Sequence, residues 1–430
     1  MLSVPIPAAG TRSAVSGLQG SSDALALAEL AKHRRLVAVL TSQAQDGQRL
    51  SEEIAFFAPE LRVHLFPDWE TLPYDSFSPH QDLVSERLAT LYQVSHRACD
   101  VLIIPVATAL QRLPPVQFLA AYSFFLKQGA RIDGNVLRQQ LTLAGYSHVT
   151  QVVSPGEYTF RGGVIDLFPM GSALPYRVDL FDDEVESLRT FDVDTQRSIY
   201  KVNDVRLLPA REFPTDEDAR TRFRQNFREK FEGDPSRSQI YKDVSNGTFP
   251  AGIEYYLPLF FDDIAIFTDY LPSDSVVVAQ GDIQSTIDAF WRDTRSRYEL
   301  LRGDRDRPLL PPQELFLFPD QLFGAIKPFS RIALSTQTEA DDASPLAVRP
   351  LPLLKVDRRA DNPLHNFHAF CTQFPGRVLL MAETLGRRET ILAYFDEYGM
   401  RPAQCESFAA FRSGTGKLML CVGPMANGFI

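Results

Sequence analysis

The chain has 430 residues, too many for one compact core, and this length points to roughly three domains. Its 44% hydrophobic and 23% charged residues fit a globular protein, and no apolar run nears the roughly 18 residues of a membrane span. A formal net charge of −10 argues against a surface built throughout to grip DNA and favours a protein partner.

Up to about residue 110, strand and helix alternate. Leu36–Leu40 is a short apolar run, expected as a strand buried on both faces. Leu50, Ile54 and Phe57 follow at helical spacing, with Glu52 and Glu53 on the opposite side. Val63–Phe66 reads as a strand, Leu83–Val94 as a helix and Val101–Val106 as a strand. Such alternation implies a parallel α/β sheet.

Around Tyr122 the pattern changes. One helix is expected at Asn135–Ala144, then short strands at Val149–Val153, Gly163–Phe168, Tyr176–Phe181, Val185–Thr190 and Val205–Leu208. This stretch reads as a small α+β domain. Thr215 is expected to cap a long helix with Asp218 in its first turn. The α/β pattern returns with strand Ser275–Ala279 and an amphipathic helix carrying Ile287, Phe290, Trp291, Tyr298 and Leu301. The simplest reading is an α/β sheet interrupted by a β-rich insert. Thr336–Pro363 lacks apolar periodicity and reads as a linker. Helix Leu364–Phe374, strand Arg377–Met381, helix Leu385–Tyr398 and strand Lys417–Val422 then form a second small α/β unit. The stop at Ile430, just after an apolar strand and a Gly-containing turn, points to a piece of a longer protein.

Met1–Gly20 shows no basic cluster followed by an apolar stretch, and Cys99, Cys371, Cys405 and Cys421 are scattered with no CxxC. Both features suit the cytoplasm.

Few motifs carry chemistry. Gly17-Leu-Gln-Gly20-Ser-Ser22-Asp23-Ala24 stands where a phosphate-binding loop would stand. A working loop needs GxxxxGK[ST], with a lysine for phosphate charge and a hydroxyl for magnesium. Ser22, Asp23 and Ala24 hold the last three places, so the site is either a dead nucleotide pocket or a plain helix start with Ser and Asp as caps. Neither reading predicts nucleotide binding. After Val276–Ala279 the chain gives Gln280-Gly-Asp282, so an acid pair is absent and Asp282 is expected to cap the next helix. Ser413-Gly-Thr-Gly-Lys417 is a turn. His365, His368 and Cys371 drift around a helix by about 60° per step, which suits an ordinary helix better than a metal site. Asp182-Asp183-Glu184 reads as a solvated turn between strands.

The informative segment is Gly156-Glu-Tyr-Thr-Phe-Arg161-Gly-Gly-Val-Ile-Asp-Leu-Phe-Pro169, followed by Tyr176-Arg177-Val-Asp-Leu-Phe181-Asp-Asp-Glu184. Side chains alternate across a strand. With Val178 and Leu180 inward, Arg177, Asp179 and Phe181 share the outer face, and the Gly162-Gly163 bend holds Arg161 nearby. Arginine beside an exposed aromatic is a composition enriched at protein–protein hot spots. The alternative is a self-satisfied Arg177–Asp179 neighbourhood with Phe181 tucked under a loop.

Those two runs resemble the second domain shared by UvrB and the bacterial transcription-repair coupling factors, the Mfd family. Asp68-Trp-Glu-Thr-Leu-Pro-Tyr-Asp-Ser-Phe-Ser-Pro-His80, Glu86-Arg-Leu-Ala-Thr-Leu91 and Gly247-Thr-Phe-Pro-Ala-Gly-Ile-Glu-Tyr-Tyr256 are similar to Mfd specifically. UvrB has a working phosphate loop, an acid pair and a DNA-clamping β-hairpin. Here the first two are missing, and the stretch between Pro79 and Glu86 is too short for the third.

The resemblance implies a degenerate RecA-like, UvrB-like lobe at 1–122 (domain 1a) and 210–335 (domain 1b). It places a UvrA-binding α+β insert at 123–209 (domain 2), the linker at 336–363 and a small α/β domain 3 at 364–430. It further implies that Arg161, Arg177 and Phe181 contact the excision-repair protein UvrA, the arginines pairing with its acids. No catalytic residue, metal or cofactor is expected in these residues. ATP and magnesium, RNA polymerase and DNA would be handled by translocase and polymerase-binding domains beyond this chain. In the intact family the C-terminal domain masks the UvrA surface, so this chain is expected to expose it constitutively. The competing class is a nucleic-acid-stimulated ATPase using a variant site at Gly17–Ala24; direct DNA binding is disfavoured by the acidic balance.

Overall fold

A computed structural model describes residues 2, 4–335, 343–345, 348–354, 356 and 359–430. The chain opens with β1 (Arg12–Ser16), α1 (Ser22–Ala31), β2 (Val37–Thr41), α2 (Ala44–Phe57), β3 (Val63–Leu65), α3 (Gln81–Ser95) and β4 (Val101–Pro105). Every residue of β2 and β4 is buried, as expected of parallel strands covered on both faces.

The insert begins with β5 (Phe124–Lys127) and α4 (Gly134–Leu143), followed by β6 (Ser147–His148), β7 (Glu157–Arg161), β8 (Val164–Leu167), β9 (Tyr176–Phe181), β10 (Glu184–Phe191), β11 (Ser198–Val202) and β12 (Asp204–Leu207). β12 pairs back onto β5 and closes the excursion. The others form a six-stranded sheet in the order β11-β10-β9-β8-β7-β6. Its inner face, with Tyr158, Ile165, Leu167, Val178 and Leu188, shares a core with Leu137 and Leu141 of α4.

The expected strand Val149–Val153 does not form; Ser147–His148 pairs with β7, and Val149 adds a single N–H bond to the Tyr158 carbonyl at 2.9 Å. Its valines drive burial in another way: Val152 packs with Phe168 and Phe191 from a loop. The next helix, α5 (Glu217–Lys230), is capped by Asp216 rather than Thr215. The Asp216 carboxylate accepts from the Ala219 N–H, and the Thr215 hydroxyl instead donates to the Leu143 carbonyl.

β13 (Val276–Gln280), α6 (Ile283–Leu301), α7 (Pro319–Ile326), β14 (Ser330–Leu334) and β15 (Ala343–Pro345) complete the large sheet, ordered β15-β1-β14-β13-β2-β4-β3. Asp282 caps α6 through the Ser285 N–H. The linker expected at 336–363 lies partly outside the described residues. Within it, Ala343–Pro345 is an edge strand paired in parallel with β1, which corrects the reading of a structureless connection. The last unit contains α8 (His365–Gln373), β16 (Val378–Ala382), α9 (Leu385–Glu397), β17 (Ala403–Gln404), α10 (Phe408–Ser413) and β18 (Leu418–Val422). Its sheet runs β16-β18-β17. Among the described residues no helix is long and apolar enough to cross a membrane.

The insert is fixed to α3 rather than hung from it. Gln81 Nε2 donates to the Ala210 carbonyl at 2.9 Å, and the Gly171 N–H donates to Ser85 Oγ at 2.7 Å. Gly171 has φ +76°, and a Cβ there would come within 2.8 Å of Ala89 Cβ, so only glycine permits this approach. At the root, Arg87 and Glu212 form a fully buried ion pair. Glu212 also accepts from Trp69 Nε1 at 3.3 Å, and Arg87 donates to the Pro67 carbonyl at 2.8 Å.

The candidate docking face

β7 and β8 meet in a two-residue turn, Gly162-Gly163, with Arg161 opposite Val164 and Gly162 at φ +61°. β9 and β10 meet in a second, Asp182-Asp183, with Phe181 opposite Glu184 and Asp182 at φ +54°. Positive φ at the first turn position is what tight hairpins require, and glycine and aspartate tolerate it. Both turns lie at the same end of the sheet, which brings Arg161 and Phe181 to one rim.

Alternation along β9 places Val178 in the core, Leu180 against it, and Arg177, Asp179 and Phe181 on the other face. Phe181 is 71% exposed. The arginines are less free than the strand pattern alone suggests. Register sets Arg177 opposite Asp166 of β8. The Asp166 carboxylate is fully buried, accepting from Arg177 Nε at 2.7 Å, from Arg177 Nη2 at 2.9 Å and from Arg161 Nη2. Arg177 also donates to the Gln196 carbonyl at 3.1 Å and lies over the Phe191 ring at 4.9 Å. Its side chain stays 21% exposed, against 51% for Arg161. The Asp166 hydrogen bonds raise the Arg177 pKa further against the opposing cost of burial, so this cation persists at every ordinary pH.

Hence the arrangement of three freely displayed groups needs correcting: Arg177 and Asp179 are half-buried and paired. The alternative of a self-satisfied Arg177–Asp179 neighbourhood holds for both side chains, though through other partners than each other, while Phe181 lies in the open rather than under a loop. Asp179 instead accepts from Ser187 Oγ at 2.5 Å and from Arg189 Nη2. Asp166, Ser187 and Arg189 are members of the face that the sequence reading missed, whereas strand alternation had already placed Asp179 on it. A carboxylate between Ile165 and Leu167 in an apolar strand, with two arginines nearby, was the available signal for Asp166.

The other candidate, Gly17–Ala24, is closed. Gly17 and Gly20 have φ +78° and +52°, and Ser22, Asp23 and Ala24 are buried. Asp23 is held bidentately by Arg49, Nη1 to Oδ1 at 3.0 Å and Nη2 to Oδ2 at 2.6 Å, and accepts from Gln280 Nε2 at 3.3 Å. Ser21 is the N-cap residue of α1 but makes no side-chain cap bond there, and Asp23 accepts from the Ala24 N–H. Burial opposes the Arg49 charge, yet Asp23 and Glu53 outweigh it and raise the guanidinium pKa. On α8 the His365 and His368 side chains point to solvent's side of the helix while Cys371 is buried.

Residues 124–213 match the family model of the UvrB interaction domain, and residues 370–430 match that of the MFD D3 domain. The transcription-repair-coupling factor of Escherichia coli K12 is 44% identical over 388 residues, covering 89% of this chain and 34% of the relative. That of Haemophilus influenzae is 40% identical over 414 residues, covering 95% of this chain and 36% of the relative. That of Bacillus subtilis is 25% identical over 279 residues, covering 61% and 24%. Along most of its length the chain is similar to the transcription-repair-coupling factors. It spans about a third of the length of the first two of these coupling factors. Arg161, Arg177 and Phe181 fall inside the matched UvrB interaction domain. The loop Gly17–Ala24 falls outside both matched domains.

Proposed function

We propose that this chain is a docking module whose insert recruits UvrA in transcription-coupled repair. Phe181, exposed at the rim beside the Asp166-anchored arginines, carries the reading. An exposed benzyl group next to oriented guanidinium edges offers an apolar anchor ringed by cations suited to a partner's carboxylates. Arg161, with a half-exposed side chain, makes direct contact. Arg177, with three of its five N–H groups engaged within the insert, chiefly orients Asp166 and adds its exposed edge.

On this reading the large sheet is a degenerate RecA-like lobe that performs no catalysis and needs neither ATP nor magnesium. The whole coupling factor would supply translocation, polymerase contact and masking of the UvrA surface from other domains, in the cytoplasm. Titration of UvrA into the purified chain tests the docking. Arg161→Ala, Arg177→Ala and Phe181→Ala should each weaken binding by about 1–3 kcal/mol, roughly 10–100-fold. Unchanged affinity in all three removes the assignment.

A further inference from the structure

The loop Gly17–Ser22 is occupied by the chain's own backbone. The Ser21 N–H donates to the Asn427 carbonyl at 2.9 Å, and the Asn427 N–H donates to Ser21 Oγ at 3.2 Å. Ser21 Oγ donates in turn to Glu53 Oε1 at 2.7 Å, and the same oxygen accepts from the Ala426 N–H at 2.9 Å. Glu53, 1% exposed, is held from behind by Arg49 at 2.8 Å. A Cβ on Gly20 would meet the Asn427 carbonyl oxygen at 2.7 Å and collide with that of Gly428. On either side, Met425 and Phe429 pack against the core of the large sheet, and Phe408 sets its ring edge-on to Phe57 at 4.9 Å.

We infer that this loop is a receptor for peptide backbone, filled in cis by Ala426–Gly428, and that it latches the last unit onto the large sheet. The chemistry selects amide over phosphate. Free N–H groups at a helix start donate to either a phosphate oxygen or a carbonyl. Here, however, Asp23 and Glu53 add carboxylates, which repel phosphate, while Glu53 takes up a backbone N–H that phosphate could not supply. A peptide presents a carbonyl and N–H groups in alternation, and both kinds are matched at this loop.

Hydrogen–deuterium exchange of the full chain tests the latch. Gly20→Val, which fills the space of the Asn427 and Gly428 carbonyls, should speed exchange across 425–429 and at Ser21 by about tenfold or more, with β2 and β4 unchanged. Ala426→Pro removes the N–H bound by Glu53 without touching the lobe and should do the same, so a Gly20 variant that fails to fold does not decide the matter. Saturating MgATP should leave wild-type protection unaltered. Wild-type protection of Ser21 and Asn427 in a folded Ala426→Pro chain overturns the latch. So does MgATP-driven loss of protection at 425–429, which would show that the loop prefers phosphate.

Discussion

Two clusters in this chain are built from the same parts and differ in what lies above them. At the insert, Asp166 gathers Arg161 and Arg177; in the large sheet, Arg49 gathers Asp23 and Glu53. Arg177 and Arg49 are almost equally exposed, at 21% and 22%. Burial of the cation therefore does not separate a docking site from a sealed one. The surroundings do: the first cluster has a half-exposed second arginine and a bare phenyl ring at its rim, whereas the second is capped by the 426–428 backbone. The lesson is that a charged cluster becomes an interface when unmatched donors and apolar area coincide beside it.

The largest effect is expected at the hub of the first cluster. Asp166→Ala strands both arginines and should lower UvrA affinity about 100-fold or more while costing roughly 2–3 kcal/mol of stability, read by titration and urea unfolding. Phe181→Ala should cost about 10–100-fold in affinity with no shift in the unfolding midpoint, because the ring is already in water. Asp23→Asn should do the reverse: a stability loss of about 1–2 kcal/mol by urea unfolding, with UvrA affinity intact. Salt gives the smallest and finest contrast. Raising NaCl from about 0.1 to 0.5 M should weaken UvrA binding several-fold, yet leave amide protection at 425–429 unchanged, since buried pairs are poorly screened.

What the sequence revealed follows from the range of the forces involved. β2 and β4 were legible because a strand covered on both faces must be apolar throughout. β1 and β14 were not foreseen: both begin near an arginine, and only alternate residues of β14 reach full burial. The Val149–Val153 run was misread because valine favours strands, although here Val152 serves a small cluster with Phe168 and Phe191. At the docking face, the outward row of β9 could be read from alternation alone. Its partner Asp166 required cross-strand register, which local pattern does not encode. The cover over Ser21 comes from Asn427, 406 residues away, and is made by backbone groups that leave no side-chain signature.

A photo-crosslinking residue placed at Phe181 and, separately, at Leu300 tests the central claim most directly. Leu300 is 81% exposed against 71% for Phe181, and it belongs to α6, outside the matched residues 124–213. Irradiation with UvrA should give a covalent adduct from position 181 and none from position 300. Adducts from 300 alone, or none from 181 under conditions where the two proteins co-migrate, would contradict docking through the insert.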